Sequence, residues 1–263
     1  MSAVRRDQII VSLAALVWIG GTLIGTGLVG GGGVAEQGDG LFSDSATLIA
    51  PAGPAFSIWS VIYAFLAGYV IWQWLPGSAE TPWATRTRLP AAASLALNGV
   101  WLLVVFAGWV LVSVLVIAGI AVSLGIILDR TAGLRDEGWG PRIFVSITFG
   151  LYLGWICVAT CANVAVWLVS LGVPTEGLGA TIATIAVLLV VVGLAGLLLT
   201  RTTDHALRAA FAAALVWGVS WTAAGRLTGE LRHEVVGYAA VATAVVVIAT
   251  WAALTRRTAL GRP

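Results

Sequence analysis

The chain has 263 residues, of which 59% are hydrophobic and only 10% charged, with a mean hydropathy of +0.99. An ordinary soluble domain carries about 25% charged residues, so that class is excluded and the chain reads as one membrane domain over residues 1–263. The net charge of +2 comes from 14 arginines and no lysine, scattered singly or in pairs, which is no footprint for a nucleic acid.

A bilayer core about 30 Å thick needs roughly 20 apolar residues of helix, and within lipid a helix pairs its own backbone groups. Eight stretches qualify, at 9–29, 55–75, 89–107, 109–128, 143–171, 178–199, 206–225 and 235–254, giving an all-α integral membrane bundle. The first follows Arg5 and Arg6 in the manner of a signal peptide, but its length and the lack of a small-residue cleavage site make it an uncleaved span. Gly21 and Gly25 form a GxxxG on it, a device for close helix approach. Packing within the chain is the expected use, and a homodimer through this face the alternative. Residues 30–54 form the longest loop, with Gly30 to Gly33, Glu36, Asp39, Asp44, Pro51 and Pro54. A mobile segment that acts as a lid is expected there. The third and fourth spans make a tight hairpin at Gly108.

With the N-terminus in the cytoplasm, Arg5, Arg6, Arg86, Arg88, Arg130, Arg135, Arg142, Arg201, Arg208, Arg256, Arg257 and Arg262 fall inside, and only Arg226 and Arg232 outside. That asymmetry is the positive-inside pattern, and it requires an even number of spans with both termini cytoplasmic. On this reading no ionisable residue falls well inside a span, which argues against ion-coupled transport. His205 and His233 lie at span ends and read as solvated or capping groups. Cys157 and Cys161, four apart on one helix face, read as small packing residues, since neither a disulfide framework nor further metal ligands accompany them. No nucleophile elbow, phosphate loop or zinc motif is present, so nothing in the residues points to catalysis.

Tryptophan is the anomaly, with thirteen residues. Trp72, Trp74, Trp83, Trp109, Trp139, Trp167 and Trp251 sit at span ends or in loops, where an interfacial belt explains them. The other six do not all lie at belt depth. At about 1.5 Å per residue, Trp59 and Trp221 lie about 6 Å from the outer end of their spans, Trp101 about 9 Å and Trp217 about 12 Å, with Asn163 and Asn98 at roughly 12 and 14 Å. Amides in lipid face other helices. Asn98 and Asn163 therefore either make interhelical hydrogen bonds or line a pocket in the outer half of the bundle, walled by indole rings and floored by Trp18 and Trp155. Such a pocket suits a flat, largely apolar ligand.

Three matches in chain order carry a family resemblance. Tyr152-Leu153-Gly154-Trp155, Ala159-Thr160 and Asn163 reproduce Y-L-x-W-x-x-x-A-T-x-x-N; Leu97-Asn98 with Trp101 follows L-N-x-x-W; and Pro51, Trp59 and Tyr63 follow a proline-rich approach to W-x-x-x-Y. Gly108-Trp109-Val110-Leu111-Val112 is similar to the opening of the family's fourth helix. The chain thus resembles the TspO/MBR family of tryptophan-rich sensory and translocator proteins, over residues 8–171, with 172–263 adding three spans to a five-helix core. It departs from the pattern at Gly53, Ser57 and Ser113, where many members have tryptophan, proline and aspartate.

The resemblance implies a membrane sensory protein that binds tetrapyrroles such as protoporphyrin or haem, or similar hydrophobic molecules, beneath the first loop, with no cofactor required for its fold. Carried over by position, the lining is Trp59, Asn98, Trp101, Trp109, Trp155, Ala159 and Asn163. The expected location is a bacterial plasma membrane, with lipid and a hydrophobic small molecule as partners. A transporter of an amphipathic solute without ion coupling and a membrane assembly subunit are the competing readings. An enzyme has no support beyond the family's proposed light-dependent porphyrin breakdown.

Overall fold

The computed structural model describes residues 2–25, 40–134 and 138–260, with side chains through residue 256. Gly30 to Gly33, Glu36, Asp39, Arg135 and Arg262 lie outside the described residues. Eight helices there are long and apolar enough to cross a membrane. They are α1 (Ala3–Gly25), α2 (Gly53–Trp72), α3 (Pro82–Phe106), α4 (Val110–Thr131), α5 (Trp139–Ser170), α6 (Gly177–Arg201), α7 (His205–Thr228) and α8 (Glu234–Leu260). The all-α membrane bundle read from the sequence is thus the observed fold.

Local chemistry sets the ends of these helices. Thr81 caps α3 by accepting from the Ala84 N–H at 3.3 Å, and Pro82 takes the first turn, where its missing N–H costs nothing. Asp204 caps α7 by accepting from the N–H groups of Ala206 and Leu207 at 2.8 and 3.3 Å. The α3–α4 hairpin closes through Gly108 at φ +72°, a left-handed conformation that favours glycine. α2 opens with a 3₁₀ turn at Gly53–Ser57, and α5 carries a π-helical stretch at Arg142–Ile147.

In packing order the helices run α1, α3, α4, α5, α7, α8, α6, with α2 laid against α5. α5 therefore joins the first four spans to the last three, and α3, α5 and α7 carry the most buried surfaces. Two glycine contacts fix this arrangement. A Cβ on Gly21 would stand 2.3 Å from the Gly99 carbonyl oxygen, and one on Gly99 would stand 2.4 Å from that of Val17, so α1 and α3 touch backbone to backbone. On the other side, a Cβ on Gly154 would lie 2.3 Å from the Phe211 oxygen and one on Gly150 2.7 Å from that of Leu207, which brings α5 onto α7. Small residues gain dispersion contacts in this way where lipid supplies no hydrophobic drive. The GxxxG is consequently occupied within the chain, by Gly99 and Leu102.

Four expectations change. α3 begins at Pro82 rather than residue 89, and α7 ends at Thr228 rather than 225, so both take in arginines assigned to loops. Arg88, Arg208 and Arg226 are 1%, 4% and 2% exposed, which makes them buried charges near helix ends and not solvated loop residues. Arg88 is accounted for: it donates to Gln73 Oε1 at 3.0 Å and to the Gln73 and Ala79 carbonyls, and Gln73 and Gln8 bond each other's backbone across α1 and α2. Trp72 and Trp83 are buried in the core instead of standing in a belt, because the end of α2 packs against the start of α5 beside the start of α3, with Trp72 stacked on Phe144 at 6.1 Å. Finally, the described part of the first loop is not loose: Thr47, Leu48, Ile49 and Ala50 are all buried.

Candidate functional site

The end of the bundle that carries the first loop holds an aromatic cluster built by α2, α3 and α5. Trp59 is its hub, with ring centroids 5.2 Å from Tyr63, 5.9 Å from Tyr152 and 6.0 Å from Trp155. Phe56, on the 3₁₀ turn that opens α2, meets Trp155 edge-on at 5.7 Å. These are the T-shaped and tilted geometries that aromatic quadrupoles favour. Trp59 and Tyr63 share a face of α2 because they are one turn apart, and Tyr152, Trp155 and Ala159 share one of α5 for the same reason.

Two polar chains brace the cluster. The Tyr63 hydroxyl donates to Asn98 Oδ1 at 3.0 Å, and Asn98 Nδ2 donates to the Tyr152 hydroxyl at 2.9 Å, tying α2, α3 and α5. One turn along, Trp101 Nε1 donates to Asn163 Oδ1 at 3.2 Å, and Asn163 Nδ2 donates to Ser113 Oγ at 2.7 Å, tying α3, α5 and α4. Both buried amides thus make interhelical bonds, and Ser113, the departure from the aspartate of many relatives, accepts one of them.

The cluster encloses a cavity of only about 20 Å³, lined by Phe56, Trp59, Asn98, Trp101, Trp155 and Ala159 with three α4 and α5 isoleucines. That is room for about one water. Five of the seven residues carried over by position line this cavity, and a sixth, Asn163, stands behind it and holds the Trp101 ring. Trp109 does not belong to it: as the cap residue of α4 it is 62% exposed on the outside of the bundle, because the short hairpin turns it away. Trp18 is no floor either, since it packs edge-on against Tyr63 at 5.1 Å and does not reach the cavity. Trp155 is 1% exposed and its indole N–H has no hydrogen-bond partner. Sequence reasoning left out Phe56, although it stands in the motif that holds Trp59, and Tyr63 and Tyr152, whose hydroxyls were legible only as part of a pattern.

A larger cavity of about 720 Å³ lies at the other end of the bundle, between the starts of α3, α5 and α7, with Trp83, Arg142, Ser146, Asp204 and His205 on its wall. Three of its polar groups are engaged by the fold: Asp204 caps α7 and accepts from the Ser146 hydroxyl, and the Arg142 guanidinium lies 5.3 Å from the centroid of the Trp139 ring. Among the described residues no group of three or more His, Cys, Asp or Glu side chains could hold a metal ion. Cys157 and Cys161 are free thiols packed in α5, and His233 bonds Thr181 and the Val236 N–H as a capping group.

A bundle of eight apolar helices with a closed aromatic cleft, braced by amides from neighbouring helices, defines the class: an all-α, multi-pass membrane protein. Comparison with family models places the chain more narrowly, since the model described as TSPO-like protein matches residues 9–253. The chain belongs to that family. The match runs past the five spans that carry the sequence motifs and through the last three, in keeping with the close seating of α7 on α5. Comparisons with curated proteins and with solved structures found no match.

Proposed function

We propose that the protein binds a flat, largely apolar ligand of the tetrapyrrole class, protoporphyrin or haem, in the aromatic cleft, as a sensory or receptor protein and not as an enzyme. The observation that carries this reading is the cleft itself: indole, phenol and phenyl rings from three spans converge on one point, and the Trp155 indole N–H on its wall is buried without a hydrogen-bond partner among the described residues. Pockets for ligands of this size run to about 300–1,000 Å³, against the roughly 20 Å³ present. The cleft is therefore closed, and a ligand enters by displacing a wall.

The wall that gives way is the turn bearing Phe56. Its ring is 39% exposed, whereas Trp155, Asn98 and Trp101 are 9% exposed or less and are fixed by helices on both sides. Moving Phe56 and Trp59 outward opens a slot between α2 and α5 in which a macrocycle stacks on indole faces and presents an acceptor to the Trp155 N–H.

Titration of purified protein with protoporphyrin IX, followed by tryptophan emission, tests the reading. Quenching is expected to saturate at micromolar ligand. Trp155→Phe keeps a ring and removes the donor, and Trp101→Ala removes a wall worth roughly 0.5–1.5 kcal/mol beyond its area, so each weakens binding by about threefold to tenfold. Folded Trp101 and Trp155 variants that bind as the parent does would rule the cleft out as the site.

A further inference from the structure

The last three spans reach the cleft through one helix. Along about two and a half turns of α7, Trp217, Trp221, Thr222 and Arg226 each bond the backbone of the first loop or of the turn that opens α2, which together wrap across the helix. Trp217 Nε1 donates to the Ala55 carbonyl at 2.9 Å, the Trp221 carbonyl accepts from the Ala52 N–H at 3.2 Å, Thr222 Oγ1 donates to the Ile49 carbonyl at 3.1 Å, and Arg226 Nη2 donates to the Asp44 carbonyl at 2.7 Å. The segment is also clipped to itself, because Asp44 Oδ2 accepts from the Gly53 N–H at 2.8 Å. Residues 44–53 therefore move as a unit, and the turn that continues from Gly53 carries Phe56 and leads into Trp59.

This attachment is strong in number but poised in energy. Four bonds hold the segment, yet the buried Arg226 guanidinium uses one donor only, and its Nε and Nη1 have no hydrogen-bond partner. No described carboxylate forms an ion pair with it. A buried charge that is incompletely paired is costly, and release of the segment exposes it to water. Beside the ladder, Ser57, Ile58, Val61 and Trp217 edge a groove of about 250 Å³ between α2 and α7, so the turn is not packed tightly on that side.

We propose that this α7 ladder is the latch that sets ligand access to the aromatic cleft, with Trp217, Thr222 and Arg226 as positioning residues; the ligand part of the statement rests on the reading given under Proposed function. If the closed form cannot bind, the apparent Kd equals the intrinsic Kd divided by the open fraction. Weakening the latch then tightens binding, which is the opposite of what damage to a merely structural contact does.

The test uses the full chain in nanodiscs with Thr222→Val, Thr222→Ser and Trp217→Phe. Hydrogen exchange at the Ala52 amide reads the latch without any ligand, and stopped-flow mixing with protoporphyrin IX reads access. A neutral hydrogen bond sets a population ratio of about two- to tenfold, so Thr222→Val and Trp217→Phe should each speed Ala52 exchange and porphyrin association by that factor, lower Kd equally and leave the dissociation rate unchanged. Thr222→Ser, which keeps the hydroxyl, should behave as the parent. Unchanged Ala52 exchange in both weakened variants overturns the latch. Faster exchange with association unchanged or slowed overturns its control of access. A parent that binds no porphyrin defeats the ligand reading and with it control of porphyrin entry, and the exchange result still decides whether α7 holds the segment.

Discussion

Replacing Asn98 by leucine isolates what the buried amide contributes. The substitution keeps the approximate shape and removes both bonds, leaving the Tyr152 hydroxyl, which is fully buried, without its donor and the Tyr63 hydroxyl without its acceptor. Interhelical hydrogen bonds in membranes average about 0.6 kcal/mol and reach about 1.7, so losing two should cost about 1–3 kcal/mol. The cost should be conditional. In a Tyr63→Phe, Tyr152→Phe background there are no hydroxyls to orphan, and Asn98→Leu should then cost less than about 0.5 kcal/mol, a coupling that a double-mutant cycle measures. Reversible unfolding by sodium dodecyl sulfate in mixed micelles, followed by tryptophan fluorescence, supplies the free energies. Equal effects of Asn98→Leu in the two backgrounds would refute the view that the amide acts through these tyrosines.

Gly154→Leu should be among the most damaging single changes, because even its Cβ would stand 2.3 Å from the Phe211 oxygen, and overpacking of this kind costs typically 1–3 kcal/mol or more; loss of folded yield against a neutral Gly193→Leu, where a Cβ meets open space, is the measure. Trp109→Ala should leave porphyrin binding within about twofold of the parent, since removing a ring outside the cleft deletes none of its stacking, and a tenfold loss would put that residue back in the site. The arginine asymmetry predicts that a cysteine at the exposed Ser45 is modified by a membrane-impermeant thiol reagent in intact cells, and labelling only after permeabilisation would reverse the proposed orientation. In proteoliposomes, any solute movement should ignore an imposed pH gradient, and proton-driven accumulation would favour a coupled carrier.

The bundle was legible because lipid leaves one solution for the backbone, and the apolar runs measure the bilayer directly. Gly108 likewise announced its hairpin. The cleft was half legible: Trp59, Asn98, Trp101, Trp155 and Ala159 converge because a one-turn repeat on α2, α3 and α5 puts each on an inward face. Trp109 and Trp18 failed for a reason that periodicity does not hold, namely the direction in which a short hairpin or a neighbouring ring sends a side chain. Arg226 was hidden by its charge, since hydropathy ends a span at the first arginine, whereas here the helix continues and the guanidinium finds a loop carbonyl. The role of α7 was hidden because its partners are backbone atoms of the first loop, about 170 residues earlier, and hydrogen bonds to backbone leave no signature in residue type.

The central claim, that a tetrapyrrole-class ligand enters the cleft beneath the first loop, is tested most directly by an absorbance titration of protoporphyrin IX into the parent and the Ala159→Leu variant side by side. Ala159 lines a cavity of about 20 Å³, and leucine there occupies the slot that an incoming macrocycle needs. Saturable micromolar binding by the parent is expected, with a loss of about tenfold or more in a variant that unfolds at the same detergent concentration, an overpacking effect of about 1–3 kcal/mol expressed on the ligand. Equal binding by the two folded proteins, or no binding by the parent, would contradict the claim.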